Sequence, residues 1–282
     1  MYFKPKVENI FPKTKLKGVE MKRTLITPDL SAIPQRFHTL IRDANVYDSH
    51  CASGADVYFV DKYDGLFLKS APKGSLVTEY TLASFFANKG LAPEILDFFS
   101  TDVKDWMLTK KAQGEDATHQ MYLDDPKRLC DTVATTLRYL HSLDISDCPV
   151  QSHTARYIST ATRNYLTGNY DSTLFPDNWG YASAEEAWRV VEQNKYRLKD
   201  EVLLHGDYCL PNIILNNWRF SAFIDLGNGG VGDRHVDLFW GVWTLFFNLG
   251  TDKYSSRFLD VYGRDAVDPD MLKVIAAFEV FG

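Results

Sequence analysis

The side chains best placed to do chemistry lie in residues 203–237, which read LLHGDYCLPNIILNNWRFSAFIDLGNGGVGDRHVD. His205-Gly206-Asp207 follows two apolar residues, Asn212 comes five residues after Asp207, and Asp225 follows the run Ser221-Ala222-Phe223-Ile224. This spacing suits phosphoryl transfer, which needs one carboxylate beside the acceptor hydroxyl and oxygen ligands for a Mg²⁺ that neutralises phosphate charge. Asp207 can be the first, and Asn212 and Asp225 can be the others. A hairpin would bring the two ligands together. Residues 212–215 read as a strand, 216–219 as the turn and 220–224 as the return strand, so that Asn212 and Asp225 come to the same end.

The rest of the chain supplies elements to carry such a centre. Residues 56–60 and 66–69 alternate apolar side chains around a D-G turn at 61–65, the pattern of a hairpin that ends on Lys69. Residues 32–41 are expected to carry a short helix, 76–88 a longer one, and 106–109 a further strand. From Asp125 the pattern becomes helical: Leu129, Val133, Leu137 and Leu140 recur at intervals of three and four, an amphipathic face turned to a core. Residues 183–198 predict another helix, with Ser183 as N-cap and Glu185 and Glu186 in its first turn. Phe239, Val242, Trp243, Phe246 and Phe247 make a third apolar face, and residues 271–281 predict a last helix. Residues 1–30 show little periodicity and read as an extension, either laid against the strand-rich region that follows or partly mobile.

Composition narrows the class. The 282 residues are 45% hydrophobic, enough for a sizeable core. With 31 Lys and Arg against 37 Asp and Glu, the net charge of −6 disfavours nucleic acid or an anionic membrane as partner. Cys51, Cys130, Cys148 and Cys209 lack the C-x-x-C spacing of a zinc site, so a reduced, cytoplasmic setting is expected. No secretory signal opens the chain, and the apolar run of residues 236–249 is too short to span a bilayer.

The H-G-D turn, the asparagine at fixed offset and the I-D-L-G after a hairpin match in order the H-R-D…N and D-F-G of protein kinases. Taken with residues 140–149, LHSLDISDCP, the chain resembles the aminoglycoside phosphotransferases, specifically the 3′-hydroxyl branch, over nearly its whole length. The resemblance implies an α+β, bilobal protein-kinase-like fold. A small β-rich N-terminal lobe would span residues 1–109, a hinge 110–114, and a larger, mainly helical C-terminal lobe 115–282. It implies ATP or GTP as phosphoryl donor, Mg²⁺ held by Asn212 and Asp225, and Asp207 as catalytic base. Lys69 corresponds to the lysine that grips the α- and β-phosphates, and Glu79, ten residues on, to the carboxylate that aims it. Ser53 falls in the nucleotide loop, which lacks G-x-G-x-x-G, and Phe67 where an aromatic stacks on adenine. The backbone from Thr109 to Ala112 would meet the nucleobase.

An aminoglycoside is polycationic, so its pocket needs carboxylates. Asp177 and Glu279 lie where the resembled branch has acidic substrate ligands, and a terminal carboxylate just beyond Phe281 would add another. Other positions depart. Asn228 replaces an arginine after Asp225-Leu226-Gly227, Trp243 and Asn248 stand near an expected arginine and aspartate, and Phe278 stands where an aspartate is usual. These departures leave two alternatives to an aminoglycoside kinase: a kinase for another small hydroxyl compound, such as an amino alcohol or sugar, and a nucleotide-binding pseudokinase.

Overall fold

In the computed structural model, residues 23–49, 54–170 and 180–282 are described; Ser53 and Asp177 lie outside them. The described chain divides into two units, one of residues 23–114 with Ser221–Gly227, the other of Glu115–Phe220 with Asn228–Gly282.

The first unit is built on a six-stranded sheet ordered β1-β2-β3-β4-β6-β5. Its elements are β1 (Thr24–Ile26), the single-turn helix α1 (His38–Ile41), β2 (Asn45–Asp48), β3 (Asp56–Asp61), β4 (Leu66–Pro72), α2 (Val77–Asn88), β5 (Ile95–Ser100) and β6 (Lys104–Lys110). All the neighbouring strands run antiparallel. Within the terminal extension expected over residues 1–30, Thr24–Ile26 is the edge strand β1, paired to β2. The helix expected over 32–41 is also broken. Ile33 is extended at φ −109°, ψ 134°, as a residue before Pro34 is driven to be, which leaves 3₁₀ turns on either side and only one turn of α-helix.

Side-chain alternation gives the sheet two faces. Leu66 and Leu68 of β4 pack with Trp106 and Leu108 of β6, and with Phe37, Ile41, Val46 and Val60, in one buried cluster. Ala71 and Met107 take the opposite face and pack with Leu76, at the start of α2, and Tyr80. Lys69 shares the alternation of Phe67 and Ala71, so it projects on the α2 side. The entry to α2 lacks a side-chain cap of its own. Buried Asp105 of β6 substitutes, accepting the Gly74 and Leu76 N–H groups at 2.7 and 3.2 Å and the Ser100 hydroxyl at 2.8 Å. That contact fixes the first turn, where Glu79 lies.

The second unit is mainly helical. It contains β7 (Glu115–Asp116), α3 (Gln120–Leu123), α4 (Pro126–Leu140), α5 (His153–Thr167), α6 (Ala184–Asn194), β8 (Val202–Leu204), β9 (Ile213–Asn216) and the start of β10 (Arg219–Phe223). After these come β11 (Gly230–Gly232), α7 (His235–Leu249), α8 (Ser255–Gly263) and α9 (Pro269–Glu279). The four apolar residues expected to face a core from α4 are all buried. Asp125 caps that helix by accepting the Arg128 N–H, and Ser183 caps α6 through Glu186 N–H as its sequence predicts. α6 ends at Asn194, four residues short of the expected 198, and passes into a 3₁₀ turn. Residues 236–249 form α7, and no helix among the described residues is long and apolar enough to cross a membrane.

Candidate active site

The hairpin after Asp207 forms one residue out of the expected register. Its turn is only Asn217-Trp218, both left-handed at φ 49° and 69°, the geometry a two-residue hairpin turn demands. Asn212 consequently precedes β9, in a 3₁₀ turn of Leu210–Asn212. That turn folds Asn212 back on the loop: its Nδ2 donates to the Asp207 Oδ2 at 2.8 Å and to the Asp207 carbonyl at 3.0 Å. The amide is thereby oriented with its oxygen free of that contact. Leu210 N–H donates to the Thr244 hydroxyl of α7 at 3.0 Å, tying the same turn to that helix.

His205-Gly206-Asp207 is held from beneath. Asp237, fully buried in the first turn of α7, accepts the His205 N–H and the Gly206 N–H, each at 2.8 Å, and His141 Nε2 at 3.1 Å. Burial pushes the Asp237 carboxyl up, but His141 and the loop N–H of His205 outweigh it and hold it below its ordinary value. His141 is fixed in turn by the Tyr262 hydroxyl at 2.8 Å from Nδ1. Asp237 spends its carboxylate on these loop donors rather than on its own helix, whose N-terminus has no side-chain cap hydrogen bond. His205 Nδ1 accepts the Asp207 N–H at 3.2 Å, so this nitrogen is unprotonated in that contact. Gly206 has φ +86°, and a Cβ there would lie 2.1 Å from the Asn228 carbonyl oxygen, so only glycine fits. Asn228 and Gly229 are themselves clamped by Arg156 Nη2, at 3.0 and 2.8 Å from their carbonyls.

In the first unit, Lys69 Nζ lies 2.9 and 2.7 Å from the two Glu79 oxygens and 2.9 Å from Asp225 Oδ1. Burial alone would lower the ammonium, but Asp225 and Glu79 more than compensate and hold it above its usual range. Glu79 moves up as well, because burial and the second carboxylate exceed what Lys69 returns. Shared by two carboxylates, Lys69 keeps its proton. Asp225 is left-handed at φ 60° and its side chain is 54% exposed, so the carboxylate is open to further ligands. Asn212 and Asp225 are hard oxygen donors, the type Mg²⁺ takes. No group of three His, Cys, Asp or Glu among the described residues could hold a metal ion unaided.

Phe67, half-buried in β4, packs against Phe59 with ring centroids 5.2 Å apart. Thr109 pairs with Phe67 across β4 and β6. Of the strand end that should meet a nucleobase, the Lys110 and Lys111 N–H groups are already donated to the Glu94 and Gly65 carbonyls, both at 2.9 Å. Ala112 follows β6 and is partly exposed. Glu279 closes α9 with Oε1 accepting the Tyr157 hydroxyl at 2.6 Å and the Trp240 indole at 3.2 Å. Phe281 is fully buried against Tyr165, Tyr170 and Trp188, and its carbonyl accepts Asn164 Nδ2 at 2.8 Å, so its ring is core. Sequence reasoning missed Asp105, His141, Tyr157, Arg156 and Trp240 as positioning groups. His141 alone carried a signal, within LHSLD; the others have no spacing that marks them.

A phosphotransferase enzyme family model matches residues 51–274. A probable aminoglycoside 3′-phosphotransferase of Lactococcus lactis is 45% identical over 254 residues, covering 90% of this chain and 97% of the relative. The fold is similar to that of an aminoglycoside-3′-phosphotransferase of type VIII, with a TM-score of 0.73, 24% identity, and 90% and 97% of the two chains covered. It is also similar to an aminoglycoside phosphotransferase of Streptomyces rimosus in complex with ADP and streptomycin, with a TM-score of 0.72, 22% identity, and 90% and 99% covered. The chain thus belongs to the phosphotransferase enzyme family, in its aminoglycoside 3′-phosphotransferase branch, and has the α+β kinase-like fold of that family.

Proposed function

We propose that the protein transfers the γ-phosphoryl group of ATP or GTP to a hydroxyl of an aminoglycoside, the 3′-hydroxyl by kinship with its Lactococcus lactis relative. The observation that carries this reading is Lys69 held at once by Glu79 and Asp225, 2.7 to 2.9 Å from their oxygens. A core lysine has no need of two carboxylates; a lysine presented to phosphates beside a metal ligand does. Lys69 binds the donor's phosphates and is aimed by Glu79. Asn212 and Asp225 would each offer an oxygen ligand to Mg²⁺, which when bound would offset charge on the phosphate oxygens. Asp207, its carboxylate steadied by Asn212 Nδ2 and its backbone by the Asp237 brace, orients the acceptor hydroxyl and takes its proton as the bond to phosphorus forms. The nucleotide assignment is supported by the ADP complex of the Streptomyces rimosus neighbour, and the setting we assign is cytoplasmic.

The test is nucleoside diphosphate release by purified protein with Mg²⁺ and ATP or GTP, comparing kanamycin-type acceptors with their 3′-deoxy analogues. Turnover only with the hydroxyl supports both reaction and regiochemistry. Comparable turnover with both rejects the 3′ assignment, and turnover undiminished by Asp207→Ala rejects Asp207 as the base.

A further inference from the structure

The turn between β9 and β10 is held from outside. A two-residue hairpin turn needs left-handed backbone at both positions and is ordinarily Asn-Gly. Asn217 tolerates that conformation, but Trp218, at φ 69°, carries a bulky side chain where the left-handed region is costly. The sequence pattern by itself predicts a four-residue turn over 216–219 and a strand that begins at Asn212. Contacts from α3 and α4 offset the cost of the tighter turn. The Trp218 ring meets Tyr122 edge to face at 5.0 Å, and the Arg128 guanidinium lies 4.3 Å over the Trp218 ring. Tyr122 is fully buried and donates its hydroxyl to the Leu215 carbonyl of β9 at 2.7 Å. Burial raises this phenol above its ordinary value, against the N–H groups of Trp218 and Asn217 that bear on it, so the hydroxyl keeps the proton it donates.

The chain just ahead of α3 fixes β9 along its other edge. Glu115 and Asp116 of β7 pair with Leu215 and Ile214, and the Ala117 N–H is shared between the Ile213 and Leu210 carbonyls at 2.9 and 3.2 Å. With the turn limited to two residues, β9 begins at Ile213 and leaves Asn212 in the 3₁₀ turn before it, where Nδ2 reaches the Asp207 carboxylate at 2.8 Å. Inside the strand the same side chain would stand perpendicular to the ladder and could not fold back on residue 207. A change of register by one residue turns every side chain of a strand to the other face.

We propose that Trp218, Tyr122 and Arg128 are positioning residues for Asn212: by holding the two-residue turn they fix the register of β9 that directs the Asn212 amide on to Asp207. The proposal rests on the phosphoryl-transfer reading of Asp207 and adds to it the contacts that place its partner. The three side chains act at the far end of β9 from Asn212, so their effect reaches Asp207 through the strand. A misplaced Asn212 leaves the Asp207 carboxylate without the donor that steadies it, which costs the chemical step rather than the binding of either substrate.

The experiment uses the full chain. Nucleoside diphosphate release with Mg²⁺, ATP or GTP and kanamycin is measured beside amide hydrogen exchange over residues 209–216 and 217–220. Trp218→Ala should lower kcat about tenfold, leave both KM values within about twofold, and speed exchange as far back as Asn212. Tyr122→Phe, which removes only the hydroxyl, should act in the same direction to a smaller degree, and carries the test if Trp218→Ala folds poorly. Trp218→Gly should recover most of kcat and of the exchange protection, because Asn-Gly takes this turn unaided. In an Asn212→Ala background, Trp218→Ala should lower kcat by no more than about a further twofold, since both changes act on the same contact. A lowered Tm with wild-type kcat, faster exchange confined to residues 217–220, or equal damage from Trp218→Gly and Trp218→Ala overturns the positioning role while phosphoryl transfer stands. Absence of release by the wild-type protein with every acceptor overturns the phosphoryl-transfer reading instead, and the exchange pattern then decides by itself whether these residues set the register.

Discussion

Replacing Asp237 by Asn tests whether the H-G-D loop is held by a buried charge. The carboxylate accepts His205 N–H, Gly206 N–H and His141 Nε2 at 2.8, 2.8 and 3.1 Å in a fully buried position. An asparagine offers one acceptor oxygen and an NH₂ group, so one oxygen meeting loop donors becomes a donor facing a donor. Each lost charge-assisted bond is worth about 1.5–3 kcal/mol, and an orphaned buried N–H adds its desolvation cost. Breaking such a network from one side costs about 3–5 kcal/mol in total, a fall of roughly 5–8 °C in Tm for a chain of this size. The effect carries a pH signature with a defined sign. Asp237 is depressed below its ordinary 3.8 in the folded state, so its stabilisation is present above the unfolded value and is lost as pH falls through the folded one. In urea unfolding, the gap between wild type and Asp237→Asn should therefore be full at neutral pH and narrow only as pH falls below 3.8. His141→Ala should be strongly non-additive with Asp237→Asn, since both cut the same network. An Asp237→Asn protein within about 1 kcal/mol of wild type, with kcat unchanged, would refute the bracing argument.

Other perturbations give separable outcomes. Gly206→Ala forces a Cβ to 2.1 Å from the Asn228 carbonyl at φ +86° and should lower Tm and kcat together, whereas Gly168→Ala, with open space at its helix end, should cost only about 1 kcal/mol of stability and no activity. Glu79→Gln should raise the nucleotide KM about tenfold with little change in acceptor KM, because Lys69 keeps Asp225 but loses its aim; equal effects on both substrates would contradict the pairing scheme. Asp105→Ala removes the acceptor for Gly74 and Leu76 N–H and should cost about 2–4 kcal/mol, read by thermal unfolding, while loosening the turn that carries Glu79. Glu279, raised to about 7, is neutral below that pH and charged above it, so acceptor KM should fall as pH rises from 6 to 8 and Glu279→Gln should flatten the profile. A profile with the opposite slope would rule out Glu279 as a partner for an acceptor ammonium.

The sequence by itself determined the family, the order of the phosphoryl-transfer residues and the apolar faces of β4, α4 and α7. Those are properties of spacing: an H-G-D…N run, alternation with period two, and apolar recurrence at three and four residues are visible without knowing what they touch. Local chemistry can still be missed: the break that Pro34 puts in the expected 32–41 helix and the left-handed Asn217-Trp218 pair that shortens the turn emerged only from the backbone geometry. Tertiary structure decided what depends on contacts distant in sequence. Asp237 meets the loop 32 and 31 residues earlier, Asp105 caps a turn some 30 residues before it, and Lys69 reaches Asp225 across 156 positions. No periodicity encodes such pairs, because each is fixed by where two elements pack, and packing sums many weak apolar contacts over both. The acceptor side shows the same limit. Phe278 reads as a lost acid in the sequence, and only its stacking on Tyr157, which donates to Glu279, reveals what stands there.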